Sequence, residues 1–138
     1  ILPGDWSSDV CSSDLFPISR GTGDQRSLNY AIRLVEEGKV LGIFPEGTRS
    51  KDPDGKMLPP KAGIALIAKA THADILPACI YFEGKSKFRK KITVRFGEVI
   101  PYEELGLTDE SNMSEIKDAS RLVMGKIGEL LEKGHEKD

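Results

Sequence analysis

The densest cluster of chemically able side chains is FPEGTRS, residues 44–50. It brings together a carboxylate (Glu46), a glycine (Gly47), a hydroxyl (Thr48) and a guanidinium (Arg49). A guanidinium presents a planar fork that matches a phosphate in two hydrogen bonds. The hydroxyl adds a donor, and glycine lets the backbone turn sharply and come close to a ligand. Glu46 can orient the arginine or accept a substrate hydroxyl. Arg20, which follows the short run FPIS, is a second guanidinium able to converge on the same anion. These residues point to a substrate that carries both a phosphate and hydroxyls. The plainer reading of the same residues is a solvated Glu–Arg pair on a tight turn.

The elements around the cluster decide where it sits. VLGIF, 40–44, is a short continuous apolar run, the pattern of a strand buried on both faces. In α/β sheets ligands bind beyond the carboxyl ends of strands, and Glu46–Arg49 falls just past such an end. Upstream, Leu28, Ala31, Ile32 and Val35 recur at helical spacing. Asp24 or Ser27 can cap the start of that helix, and Gly38 suits its C′ position. With FPIS, 16–19, as the end of a strand and GTGD, 21–24, as a turn, the order is strand, helix, strand, which gives parallel pairing.

Downstream, 50–60 reads as a loop rich in Gly, Pro and Asp, and 61–71 as a buried helix with Pro60 near its first turn. ILPACIYF, 75–82, is another apolar strand. In KITVRFGEVI, 91–100, Ile92, Val94 and Phe96 alternate with Thr93 and Arg95, as in a half-exposed strand. Met113, Ile116, Ser120, Val123, Ile127 and Leu130 trace a terminal amphipathic helix, with Asn112 and Glu115 spaced as a capping box. The tail EKGHEKD is expected to fray. The fold class is therefore α/β: a mixed, largely parallel sheet covered by helices.

The bulk composition excludes several classes. At 138 residues the chain suggests one domain with a moderate core. A net charge of −2 argues against a nucleic-acid partner. Cys11 and Cys79 stand far apart, with no CxxC, so neither a disulfide framework nor a zinc site is expected. Cys79 reads as a buried strand residue. GTGDQR is no dinucleotide fingerprint, because Arg26 stands where a third glycine would fall. His72, in ATHAD, reads as a packing or helix-capping residue. Lys85, Lys87, Arg89, Lys90 and Lys91 form a basic run beside Phe82 and Phe88. It is either a solvated hairpin loop or a surface for anionic headgroups or coenzyme A phosphates.

The first fifteen residues differ in character from the rest. Back-translated, DWSSDVCSSDL, 5–15, resembles a common sequencing adapter, and residues 1–15 are expected to be an artefactual leader. Without Asp5, Asp9 and Asp14 the remaining charge lies near +1.

FPEGTRS resembles the third sequence block of the glycerol-phosphate acyltransferase family, which includes the 1-acylglycerol-3-phosphate acyltransferases. FPISRG, 16–21, is similar to the second block, whose arginine matches Arg20. ILPACI, 75–80, is similar to the fourth, whose proline matches Pro77. The likeness covers Phe16 to about Ile100 well and the terminal helix loosely. It implies that 16–138 is the C-terminal portion of one acyltransferase domain. It further implies transfer of an acyl chain from acyl-coenzyme A or acyl-carrier protein to lysophosphatidate or glycerol 3-phosphate, with no cofactor or metal, at the cytoplasmic face of a membrane. By resemblance, Arg20, Glu46 and Arg49 hold the phosphate and glycerol end, Gly47 and Thr48 shape the loop, and Pro77 serves the acyl pocket or the fold.

One departure from the family pattern is decisive for catalysis. The family's general base is the histidine of a His-x4-Asp motif. Here Pro77 stands five residues after His72, and His135 lies too near the end for a partner at that spacing. The chain is thus expected to be inactive by itself. A non-catalytic phosphate-binding module is the alternative.

Overall fold

The computed structural model describes residues 16, 25–48, 56–83 and 91–135. The chain divides into two compact units, 1–41 and 42–138. Arg20, Arg49, the turn at 21–24 and the basic residues before Lys91 lie outside the described residues, as do the strand ending at 17–19 and the loop at 50–55.

In the first unit, helix α1 spans Gln25–Glu36. The expected stripe is its covered side: Ala31 is buried, and Leu28, Ile32 and Val35 are half-buried. Ser27 is the third residue of the helix and so does not cap it; Asp24 is not among the described residues. The C-terminus closes as a Schellman motif. Gly38 adopts φ +80° and donates to the Val35 carbonyl at 2.9 Å, while Lys39 N–H donates to the Leu34 carbonyl at 3.0 Å. These bonds satisfy carbonyls that the helix end would otherwise leave open. Glu37 takes ion pairs from Arg33 and Lys39. The Phe16 ring meets Tyr30 edge-on at 4.9 Å.

The run 40–44 departs from expectation. It forms no strand; Val40 is 100% exposed and Phe44 77%. A strand exists only through a ladder with a neighbour, and among the described residues none lies beside this run. The Phe44 carbonyl instead accepts the Gly47 N–H at 3.0 Å, which starts a turn. No parallel pair is therefore present among the described residues, and the sheet they hold is two-stranded and antiparallel.

That sheet belongs to the second unit. It pairs β1 (Ala78–Glu83) with β2 (Lys91–Phe96), with Ile80 opposite Val94 and Cys79 opposite Arg95. Both strands are shorter than the apolar runs suggest. Pro77 has no N–H to continue the ladder. Beyond it the two chains meet only through Gly97 N–H to the Pro77 carbonyl and an isolated bridge between Ile75 and Ile100. The alternation of β2 is as expected, but its apolar members, Ile92, Val94 and Phe96, are the exposed ones. The register puts Thr93 and Arg95 on the face of Cys79 and Tyr81, and that is the face packed against α3.

Helix α2 spans Gly63–Thr71, starting two residues later than expected, and α3 spans Met113–His135. Ile64, Ala65 and Ala68 of α2 pack against Ile116, Ala119 and Val123 of α3, and Ile100, Leu105 and Leu107 close the cluster. Burial of one such side chain, Val123, contributes roughly 2 kcal/mol. A smaller cluster sets Cys79 and Tyr81 against Leu130.

The capping box is present in full. Asn112 Oδ1 accepts the Ser114 and Glu115 N–H groups, and Glu115 Oε2 accepts the Asn112 N–H at 2.8 Å. Ser120 is buried but satisfied, its hydroxyl donating to the Ile116 carbonyl at 3.0 Å. One expectation fails on α3. Met113, the first helical residue, is exposed, because the core begins one turn later at Ile116. The helix continues through His135, and 136–138 lie outside the described residues.

Candidate functional site

The polar cluster sits on a turn that is latched to the segment entering α2. Gly47 adopts φ +68°, a conformation that glycine enters without steric cost. A Cβ at that position would also stand 3.2 Å from Cγ of Lys61. Both facts favour glycine here. Two hydrogen bonds tie the turn down: Lys61 N–H donates to the Pro45 carbonyl at 2.7 Å, and Leu58 N–H donates to Glu46 Oε2 at 2.6 Å.

Glu46 is half-buried and Thr48 exposed. The carboxylate of Glu46 thus has a structural partner that the sequence did not announce. The turn brings Glu46, Gly47 and Thr48 together, while Arg20 and Arg49 lie outside the described residues. Lys61, which the sequence reading placed inside a helix, lies against Gly47. A signal for it was available: a cation at the start of a helix opposes the helix dipole, so its charge is better explained by something other than helix stability.

Pro77 lies elsewhere. It is buried, and its ring and the Leu130 side chain both crowd the space a Cβ on Gly97 would need, at 3.0 Å each. Its surroundings are the sheet and α3. A separate open groove, mostly apolar, runs between 56–60 and α3, where Met57, Leu58, Pro60 and Met124 line it together with Lys56 and Arg121.

His72 caps the C-terminal end of α2 in the left-handed conformation, φ +54°, its N–H donating to the Ala68 carbonyl. Its ring stacks on Tyr102 at 4.6 Å, and Nε2 lies 3.2 Å from Asp109 Oδ1. The nine residues of α2 separate it from the Gly47 turn by about 14 Å along the helix axis, so it cannot serve as a base there. Cys79 is free and buried, as its strand position suggests. Among the described residues no cluster of metal-ligating side chains occurs, and no helix is long and apolar enough to cross a membrane.

The Acyltransferase family matches residues 6–81, more than half of the chain and the part that carries the latched turn. The chain belongs to the Acyltransferase family. Its similarity to individual acyltransferases is partial. It is 35% identical over 86 residues to a 1-acyl-sn-glycerol-3-phosphate acyltransferase of Bacillus subtilis, covering 60% of this chain and 41% of that protein. Proteins of the same name match over shorter stretches. That of Borreliella burgdorferi is 41% identical over 51 residues, 37% of this chain and 20% of its own length. That of Limnanthes douglasii is 42% identical over 53 residues, 38% and 18% respectively. The chain spans less than half the length of the curated acyltransferases it matches. No solved structure matches it significantly.

Proposed function

We propose that this chain is the acceptor-binding part of a 1-acylglycerol-3-phosphate acyltransferase. The observation that carries the reading is the latched Glu46–Gly47–Thr48 turn within FPEGTRS, in a chain similar to proteins of that name. In the reaction, the acceptor hydroxyl oxygen attacks the thioester carbonyl carbon. The new ester C–O bond forms, the C–S bond breaks, and the hydroxyl proton passes by way of a base to the departing thiolate. The acyl donor is coenzyme A or carrier protein, and the acceptor is lysophosphatidate. Arg20 and Arg49 hold the phosphate, and the Gly47 turn lets the backbone approach it.

The family's His-x4-Asp base does not occur in these 138 residues. Without a positioned base the chain alone is expected to run the transfer slower by on the order of 10²–10⁴-fold. The same absence is what favours a second reading, a phosphate-binding module without catalysis. The basic run at 85–91 supports placement at an anionic membrane surface, on its cytoplasmic face, each charge being worth about 1 kcal/mol there. The exposed side chains of Val40 and Phe44 support a strand at 40–44 that pairs in a parallel sheet in the complete enzyme.

Resequencing the source DNA upstream of the Phe16 codon, followed by acyl-transfer assay of the protein it encodes, tests the reading. A His-x4-Asp segment in frame, and activity that falls on Arg49→Ala, are expected. No such segment, with glycerol 3-phosphate still bound, would leave the binding module as the function.

A further inference from the structure

We infer that Lys61 is a further cationic ligand of the acceptor phosphate at the Gly47 turn. The inference rests on the acyltransferase reading of that turn. Lys61 Cγ lies close enough to Gly47 that an added Cβ would stand 3.2 Å from it, so the stem of the lysine runs directly over the turn. Its backbone is fixed there by the 2.7 Å hydrogen bond to the Pro45 carbonyl. The second latch, Leu58 N–H to Glu46, holds the same two segments together three residues earlier. Lys61 and the turn therefore move as one piece.

Its charge has no other use among the described residues. The side chain is exposed, and no carboxylate there pairs with its ammonium. Glu46, the nearest acid in the turn, spends Oε2 on a backbone N–H.

The lysine also sits where a cation is unfavourable for the helix. Helix α2 begins two residues later, with no acidic residue in its first turn and no side-chain cap at Ala62. The positive end of the helix thus begins within two residues of a cationic side chain, an arrangement that an anion would relieve. A lysine acts there as a mobile point charge, complementing the planar fork expected from Arg49.

The test titrates the 138-residue chain with glycerol 3-phosphate, and with glycerol as the uncharged control, for wild type, Lys61→Met, Lys61→Arg and Arg49→Ala. Methionine keeps an unbranched stem over Gly47 and removes only the charge. Circular dichroism confirms that each variant keeps the helix content of the wild type. Loss of one charged hydrogen-bond donor is expected to weaken glycerol 3-phosphate binding about tenfold in Lys61→Met and to spare Lys61→Arg. Arg49→Ala should weaken it as well. If Lys61→Met binds like wild type while Arg49→Ala does not, the Lys61 inference is overturned and the site reading stands. If neither substitution matters, or the wild type binds no better than it binds glycerol, both fall together.

Discussion

The Glu46 carboxylate accepts a hydrogen bond from the Leu58 backbone N–H at 2.6 Å, across twelve residues of chain. A residue proposed to meet substrate thus also holds two segments together. Removing it should cost stability as well as binding. With the Leu58 N–H left unpaired in a half-buried place, Glu46→Ala is expected to destabilise the fold by about 1–3 kcal/mol. Glu46→Gln keeps an acceptor oxygen and should lose less than half of that. Urea unfolding of the two variants separates the latch from any contact with substrate: equal stability of Glu46→Ala and wild type would remove the latch from the account.

Gly47 gives a second, independent test of the same turn. Its φ of +68° and the 3.2 Å approach of Lys61 both oppose a side chain. Gly47→Ala is expected to cost about 1–2 kcal/mol from the backbone conformation alone. The thermal midpoint should fall, and Lys61 should be displaced. Gly38, with φ +80° and open space where a Cβ would go, isolates the backbone cost from the steric one. A Gly47→Ala loss no larger than that of Gly38→Ala would show that Lys61 yields freely.

What the sequence reveals here follows from the range of the interaction concerned. Asn112 and Glu115 cap a helix through bonds within four residues, and the spacing alone announced them. Gly38 closes α1 for the same reason. The 40–44 run reads as a strand because it is apolar, but a ladder needs a second chain segment, and local pattern carries no record of one. Alternation in β2 fixes that Ile92 and Val94 share a face. It does not say which face is covered, and the register with Cys79 and Tyr81 set that against the apolar side. The turn was legible as a motif. Its latch to Leu58 and the approach of Lys61 to Gly47 were not, because both arise from contacts more than ten residues apart; only the placement of a cation at a helix start pointed to Lys61.

The capping box on α3 can be weighed directly. Asn112 Oδ1 satisfies two helix N–H groups that have no partner within the helix. Asn112→Ala should lower stability by about 1 kcal/mol, and Asn112→Asp should restore it. Because α3 supplies Ile116, Ala119 and Val123 to the core, the loss should appear in the cooperative unfolding of the whole second unit. Fraying confined to the helix end, with an unchanged midpoint, would contradict that coupling.

Tyr102 sets a limit at alkaline pH. Its hydroxyl is closed off from solvent and has no hydrogen-bond partner among the described residues. Burial, and then the negative charges of Asp109 and Glu103, raise its pKa above the ordinary 10.0. The fold therefore keeps the proton longer than the unfolded chain does. The stability this contributes is complete below pH 10.0 and is lost as the pH climbs toward the raised native value. Tyr102→Phe removes both the titration and an unpaired buried hydroxyl, while the ring can still stack on His72. The variant should match or exceed wild type near neutrality, and its unfolding midpoint should fall less steeply above pH 10.0. Parallel pH curves for the two proteins would mean that Tyr102 ionises as freely in the fold as in the open chain.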